Sequence, residues 1–290
     1  MARFHGGLIY APGRTGESML SKRLGILLVL ALLPALQVSS KPVSPLTGME
    51  LFKLQHAPMK FHARRLDGSV ESTNWSGYAV TGSNFTHASG SWIVPAVNCT
   101  KTPNSFAVFW VGMDGFKDAT VEQIGTIAEC SGTTAVYGAW YEFVPNEDIQ
   151  IISTVAVSPG NKISAVVTYD GSGEFTLKIT NVTTGKSFSK KGTVTGGAKR
   201  ASAEWIAEAP TGSSGILPLS DFGTASFGDD YTEVNDTNWA ADSAKTGPIS
   251  DFSTRENIIM VTNTTPPVDK AVPSALTTDG SSFKVTWKHK

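Results

Sequence analysis

Apolar and polar residues alternate along much of the chain after Thr73. Ile163, Ala165, Val167 and Tyr169 alternate with Ser164, Val166 and Thr168, and Phe175, Leu177 and Ile179 alternate with Thr176, Lys178 and Thr180. A period of two places one set on a buried face and the other in water. Turn residues separate such runs, as in Asp170-Gly171-Ser172-Gly173 and Thr183-Thr184-Gly185. Strand patterns also cover Phe106–Met113, Ala135–Phe143, Asp148–Val157, Ile258–Thr262 and Phe283–Trp287. No long amphipathic helix and no repeat of fixed period interrupts them. Short strands at spacings of about ten residues predict an all-β fold, an antiparallel β-sandwich of two packed sheets.

The N-terminal part reads differently. Lys22-Arg23 precede an apolar run, Leu24–Leu33, and Pro34 follows. That run is shorter than the roughly 20 residues needed to cross a bilayer. It predicts a secretory signal region over residues 1–40, with cleavage near Ser39 or Ser40; a retained anchor is the alternative. The stretch before Lys22 is long for such a signal, and Met19 offers a second start. Residues 41–72 hold five basic and three acidic residues, a net of +2. From Thr73 onward there are fifteen basic and twenty-one acidic residues, a net of −6. A basic leader before an acidic domain predicts a propeptide that neutralises the domain until acid protonates its carboxylates; a disordered linker is the alternative. The mature domain is then 73–290, with its N-terminus formed between Arg65 and Thr73.

Composition removes several chemistries. Net charge is −1 over 290 residues, which implies no basic surface for nucleic acid. Charged residues make up 17%, below the usual ~25%. Of five histidines, His5, His56 and His62 lie in the signal region and the leader, leaving His87 and the penultimate His289. No Gly-x-Ser-x-Gly elbow supports a Ser-His-Asp triad on His87. No His-Glu-x-x-His or Cys/His cluster suggests zinc, so no metal or cofactor is expected. Cys99 and Cys130, in an exported protein, predict a disulfide closing a loop of about 30 residues; two buried free thiols are the alternative. Carboxylates and amides remain for hydrolysis.

Five segments, in order, carry more than composition: Phe109-Trp110-Val111-Gly112-Met113-Asp114-Gly115, Val121-Glu122-Gln123-Ile124-Gly125-Thr126, Ala139-Trp140-Tyr141-Glu142-Phe143-Val144-Pro145, Ala201-Ser202-Ala203-Glu204-Trp205-Ile206-Ala207-Glu208 and Asp221-Phe222-Gly223-Thr224-Ala225-Ser226-Phe227. Together with the opening Asn74-Trp75-Ser76-Gly77-Tyr78, their order and spacing resemble the glutamic peptidases (eqolisins, peptidase family G1) from about Thr73 to the C-terminus. The resemblance implies two seven-stranded antiparallel sheets with a substrate groove on a concave face. It implies a catalytic pair at Gln123, in a Gln-x-Gly context, and Glu204, in an Ala-Glu-Trp-Ile context. It places Trp75, Trp110, Asp114, Trp140 and Glu142 near the groove as substrate-binding candidates. The single cysteine pair departs from the fungal members and points to another branch.

The residue types suit peptide hydrolysis. One carboxylate can activate water and then protonate the leaving amine. A side-chain amide can hold the developing oxyanion. On a strand, Glu204 shares a face with Ser202 and Ile206, while Ala203, Trp205 and Ala207 face the core. Gln123 points away from Glu122 and Ile124. A disulfide between Cys99 and Cys130 is expected to restrain the segment that aims Gln123. The expected protein is a secreted monomeric acid endopeptidase acting on polypeptides, insensitive to pepstatin and free of stable membrane association once its signal is removed. A carbohydrate-binding module is the rival. A glycoside hydrolase using Glu204 and Glu142 is the third reading. Six Asn-x-Ser/Thr sites, at Asn74, Asn84, Asn98, Asn181, Asn235 and Asn263, are glycan acceptors in a eukaryotic host.

Overall fold

A computed structural model describes Leu54 and residues 57–290; the stretch read above as a signal region, 1–40, and most of 41–56 lie outside the described residues. Twenty strands follow in chain order: β1 (Phe61–Arg64), β2 (Val70–Ser72), β3 (Trp75–Thr81), β4 (His87–Ile93), β5 (Ser105–Met113), β6 (Val121–Ser131) and β7 (Thr134–Val144). Next come β8 (Glu147–Ile152), β9 (Lys162–Tyr169), β10 (Phe175–Asn181), β11 (Lys186–Gly192), β12 (Ser202–Glu208), β13 (Thr211–Gly212) and β14 (Gly215–Ile216). The last are β15 (Thr224–Phe227), β16 (Trp239–Ala241), β17 (Thr246–Pro248), β18 (Arg255–Val261), β19 (Asp269–Pro273) and β20 (Phe283–Trp287). Helix is confined to α1 (Asp229–Thr232) and a 3₁₀ turn, Ile249–Asp251, among the described residues.

The all-β, antiparallel expectation holds. One run of strands reads β8-β7-β6-β5-β12-β3-β18, antiparallel throughout. A second reads β11-β10-β9-β4-β15-β20-β19. The pairing of β19 with β18 joins the two, so eighteen strands form one hydrogen-bonded network. Val111, Ile124, Ala203 and Trp205 of the first run share a core cluster with Trp92, Ile163, Val167 and Leu177 of the second. Period-two alternation therefore gives the first run two apolar faces. One enters this core. The other carries a separate cluster that includes Trp75, Val108, Trp110, Ile127, Trp140 and Ile206.

Three readings change. The leader has strand structure: β1 pairs antiparallel with β2, and β2 pairs in parallel with β18. Its short runs are too brief to show a periodic signal. The strand expected over Asp148–Val157 stops at Ile152. Val155 and Val157 are buried in the core without ladder pairing, and Asn181 Nδ2 caps the Ala156 carbonyl at 2.8 Å. Their alternation records burial alone. Asn74 and Asn181 are fully buried, so neither offers a glycan acceptor in the folded chain.

Candidate active site

Register assembles the site. Six residues lie directly opposite one another across neighbouring strands: Glu256 on β18, Ala79 on β3, Glu204 on β12, Gly112 on β5, Gln123 on β6 and Glu142 on β7. Opposed residues on adjacent strands share a face. Glu204 and Gln123 thus flank Gly112 with their strands about 10 Å apart. Only glycine fits between them, because neighbouring groups close in over it. A Cβ there would meet Gln123 Cβ at 3.1 Å and Trp110 Cζ3 at 2.9 Å. The sequence carries this signal as a glycine inside a strongly apolar strand, although the pattern alone does not give it a role.

Side-chain contacts fix the two groups differently. Gln123 Nε2 donates to Glu142 Oε2 at 2.9 Å, which orients the amide and leaves its Oε1 without a hydrogen-bond partner. Neither carboxyl oxygen of Glu204 has a geometrically formed hydrogen bond. Burial pushes the Glu204 pKa well above the usual carboxylate range. Nearby Ser202 acts against that rise, while Asp114, Asp118 and Glu122 add to it. Trp205 faces the core as expected, with its indole N–H donating to the Ser89 carbonyl at 2.7 Å.

The groove candidates fall into two groups. Trp75, Trp110 and Trp140 belong to the apolar cluster on the face that carries Gln123 and Glu204. Trp75 and Trp110 meet edge to face at 4.8 Å, and Trp110 Nε1 donates to Glu208 Oε2 at 2.8 Å. Glu142 stands beside Gln123. Asp114 plays a different part here. It has a left-handed backbone, φ 67°, and its carboxylate accepts the amides of Arg200 and Ala201 at 2.7 Å each. It therefore ties the end of β5 to the chain entering β12, and burial raises its pKa to about 6.

Cys99 and Cys130 form a disulfide, Cα–Cα 5.2 Å. Cys130 lies seven residues beyond Gln123 on β6, about 23 Å along the strand. The bridge secures the far end of β6 to the loop before β5. It does not touch the segment that presents Gln123, contrary to the expectation from chain order.

The face is covered. Gln123 and Glu204 have no exposed surface. Leu54 of the leader is 3% exposed and belongs to the same apolar cluster as Trp75, Trp110, Trp140 and Ile206. Asn74 anchors the leader: its side chain accepts from the Lys60 amide at 2.8 Å and donates to the Ala57 carbonyl at 3.2 Å. The Met59 amide donates to the Gly115 carbonyl at 2.9 Å. Ion pairs follow. Arg64 binds Glu256 through two hydrogen bonds of 2.9 Å, Arg65 contacts Glu71 at 2.7 Å and also Asp269, and His62 lies 3.0 Å from Glu71. Sequence reasoning missed Leu54 and the anchoring role of Asn74; of the ion pairs, Arg64–Glu256 and Arg65–Asp269 join the leader to the later strands, while those to Glu71 lie within the leader.

Comparison with known proteins gives the family. The model of the Peptidase A4 family matches residues 73–272, which contain every motif segment named above. The chain belongs to that family. It is accordingly a peptide hydrolase. Aspergillopepsin-2 from Aspergillus niger is 25% identical over 210 residues, covering 65% of this chain and 71% of that protein. Scytalidopepsin B from Scytalidium lignicola is 37% identical over 149 residues, covering 49% of this chain and 53% of its own. Among solved structures, scytalido-glutamic peptidase bound to a transition-state analogue inhibitor aligns with a TM-score of 0.61 at 23% identity, covering 74% of this chain and 98% of that one. Aspergilloglutamic peptidase from Aspergillus niger gives 0.52 at 24% identity, covering 63% and 99%. At these identities the structures bear on the fold alone.

Proposed function

We propose that this Peptidase A4 family member is an exported acid endopeptidase that hydrolyses polypeptides with Gln123 and Glu204. The observation that carries the proposal is the register that sets these two side chains on either side of Gly112, on one face. On this reading the substrate carbonyl sits between the two side chains once the cover is removed. Glu204, once ionised, takes a proton from water as the water oxygen bonds to the carbonyl carbon. Gln123 Oε1, unpartnered and fixed through Glu142, accepts the water's other hydrogen. The second N–H of Nε2 donates to the oxyanion. Glu204 then returns its proton to the amine as the C–N bond breaks. The test is turnover of denatured protein in acid by Glu204→Gln and Gln123→Ala chains that retain the fold.

Glycoside hydrolysis fits less well. Glu142 stands three strands from Glu204, about 14 Å between backbones, with Gln123 between them. Paired glycosidase carboxyls lie roughly 5–9.5 Å apart. A sugar-binding module would give Gln123 and Glu204 no role in peptide turnover, and the same variants decide against it or for it.

The leader reads best as a propeptide. In the covered state burial favours protonated Glu204, which cannot act as a base. Removing the cover would let water reach the carboxyl and bring its pKa down. Leu66 is fully exposed at the tip of the β1–β2 turn, where proteolytic nicking concentrates. A cut there would free β1 and keep β2, which is paired to β18. Acid also dissolves carboxylate ion pairs of the kind that hold Arg64 and Arg65. The processed enzyme is proposed to be a secreted monomer.

A further inference from the structure

Ser202 begins β12 and lies two residues before Glu204, on the same face of the strand. It is 1% exposed, and its hydroxyl has no geometrically formed hydrogen bond. A buried hydroxyl without a partner is unfavourable, so its surroundings indicate where it turns. The nearest acidic side chain toward β5, Asp114, is committed to the amides of Arg200 and Ala201. The Ser202 carbonyl already accepts the Asp114 amide at 3.1 Å. Across the other side stands Thr81 of β3, whose own hydroxyl donates to the Thr254 carbonyl at 3.3 Å. Two acceptors stay open near it: Asp118 Oδ2, which borders the same cavity, and Glu204, which has both oxygens open and shares the strand face of Ser202. A cavity of about 310 Å³, walled by Thr81, Phe116, Asp118, Ser202 and Thr254, borders Ser202 and gives its hydroxyl room to turn.

We infer that Ser202 is a positioning residue for the peptidase reaction, its hydroxyl donating to the Glu204 carboxylate and holding it toward Gln123 across Gly112. The inference rests on the dyad reading proposed above. A three-carbon side chain leaning along the strand reaches its i−2 neighbour, and a serine hydroxyl needs only a rotation about χ1. Ser202 opposes the burial-driven rise in the Glu204 pKa, and in the covered state the bond between them is not formed. The other ionisable groups around Glu204 are Asp114 and Asp118 at the end of β5 and in the loop after it, and Glu122 on β6; all three disfavour its charge. Glu142 and Glu256 stand further along the same row, the second paired with Arg64. A donor that favours the ionised form is what a general base among carboxylates requires.

The test compares acid-matured wild type with Ser202→Ala and Ser202→Thr. Kcat and KM on a soluble peptide are measured across pH, with thermal unfolding as a check on the fold. Losing a hydrogen bond to a charged group predicts kcat lower by roughly 10- to 100-fold in Ser202→Ala, with KM little changed. The acid limb of the kcat profile, which reports ionisation of the base in the complex, should move up by about one pH unit. Ser202→Thr, which keeps the hydroxyl, should restore both the rate and the limb. Should Ser202→Ala fail to mature, Ser202→Cys, a near-isostere with a weaker donor, should show the same displaced limb. Wild-type kinetics in Ser202→Ala would overturn the inference, as would equal losses in the alanine and threonine variants with the limb unmoved. If Glu204→Gln stays active, the dyad reading itself fails; if Glu204→Gln is dead and Ser202→Ala is normal, only the role of Ser202 falls.

Discussion

Leu54 is the most direct handle on the covered state. It is buried at 3% in the cluster that lies over the Gln123–Glu204 face. Truncation of a buried leucine to alanine costs roughly 2–4 kcal/mol. The exposed ion pairs of the leader are worth only about 0.2–1 kcal/mol each, and Arg64 is about half exposed. Apolar burial should therefore hold the cover more firmly than charge does. At about 1.4 kcal/mol per tenfold change, Leu54→Ala should shift the covered-to-open ratio by roughly 30- to 1,000-fold. A ligand that binds only the open form sees its apparent affinity scaled by the open fraction. The assay uses the full chain carrying Glu204→Gln, so that it cannot process itself, and titrates an uncleaved substrate peptide. With Leu54→Ala, the apparent Kd should fall by about 30-fold or more, until it reaches the value for chain lacking the leader. Arg64→Ala should change it by about fivefold or less. An unchanged Kd in a folded Leu54→Ala chain would refute the idea that this leucine holds the site closed.

The other expectations concern chemistry and maturation. Glu204→Gln should lower turnover by at least ~10², within the range for losing a general acid–base, and Gln123→Ala by ~10²–10³, within the range for losing an oxyanion donor; rates on denatured protein check both. Glu208→Gln, which still offers an acceptor to the Trp110 indole, should retain much of the rate in the same assay. Gly112→Ala should keep the disulfide and the fold but lose activity, because its Cβ crowds Gln123; overpacking of this kind costs about 1–3 kcal/mol, read by thermal unfolding. N-terminal sequencing of acid-treated protein should find a start between Leu66 and Ser69. The thermal midpoint of the Glu204→Gln chain should rise as pH falls from 6 to 4, and Asp114→Asn should flatten that rise.

How much of this was legible in the sequence depends on what kind of signal each residue leaves. Alternation in β9 and β10 gave the strands and their buried faces, because each has one face in the core and one outside it. It could not give β1 or β2, which are too short for a period to show. It overran β8, because Val155 and Val157 are buried without being paired. The candidate pair came through motif resemblance and through the parity of β12, which correctly turned Trp205 into the core and Glu204 the other way. The contact between Gln123 and Glu142 depends on the pairing of β6 with β7, and the closeness of Gln123 to Glu204 depends on β12 inserting beside β5 from some 90 residues away. Local pattern does not encode such pairings. The disulfide was foreseen but its mechanical role was misplaced, since proximity in sequence to Gln123 is not proximity along a folded strand.

The electrostatics of the site and the stability of the fold lead to the same pH range. Asp114, Glu122, Glu142, Glu204 and Glu208 are each at most 1% exposed. Burial raises Asp114 to about 6 and holds Glu122 and Glu204 well above their usual range. An unfolded aspartate titrates near 3.9. Between about 4 and 6 the folded chain therefore binds more protons at Asp114 than the unfolded chain does, so stability falls as pH rises through that window. The Asp114 shift alone corresponds to about 3 kcal/mol, and Glu122 and Glu204 act with the same sign. Asp170, lowered to about 2 by hydrogen bonds from Ser172, Gly173 and Glu174, works in the opposite direction, and its contribution is lost only in stronger acid. Asp114, Glu122 and Glu204 thus favour the folded chain in mild acid over neutral pH, and uncovering Glu204 would ease its ionisation. If residues 41–72 are a propeptide and Glu204 the base, as proposed above, the burial that makes neutral pH costly for the fold also disfavours ionised Glu204 until the leader is removed.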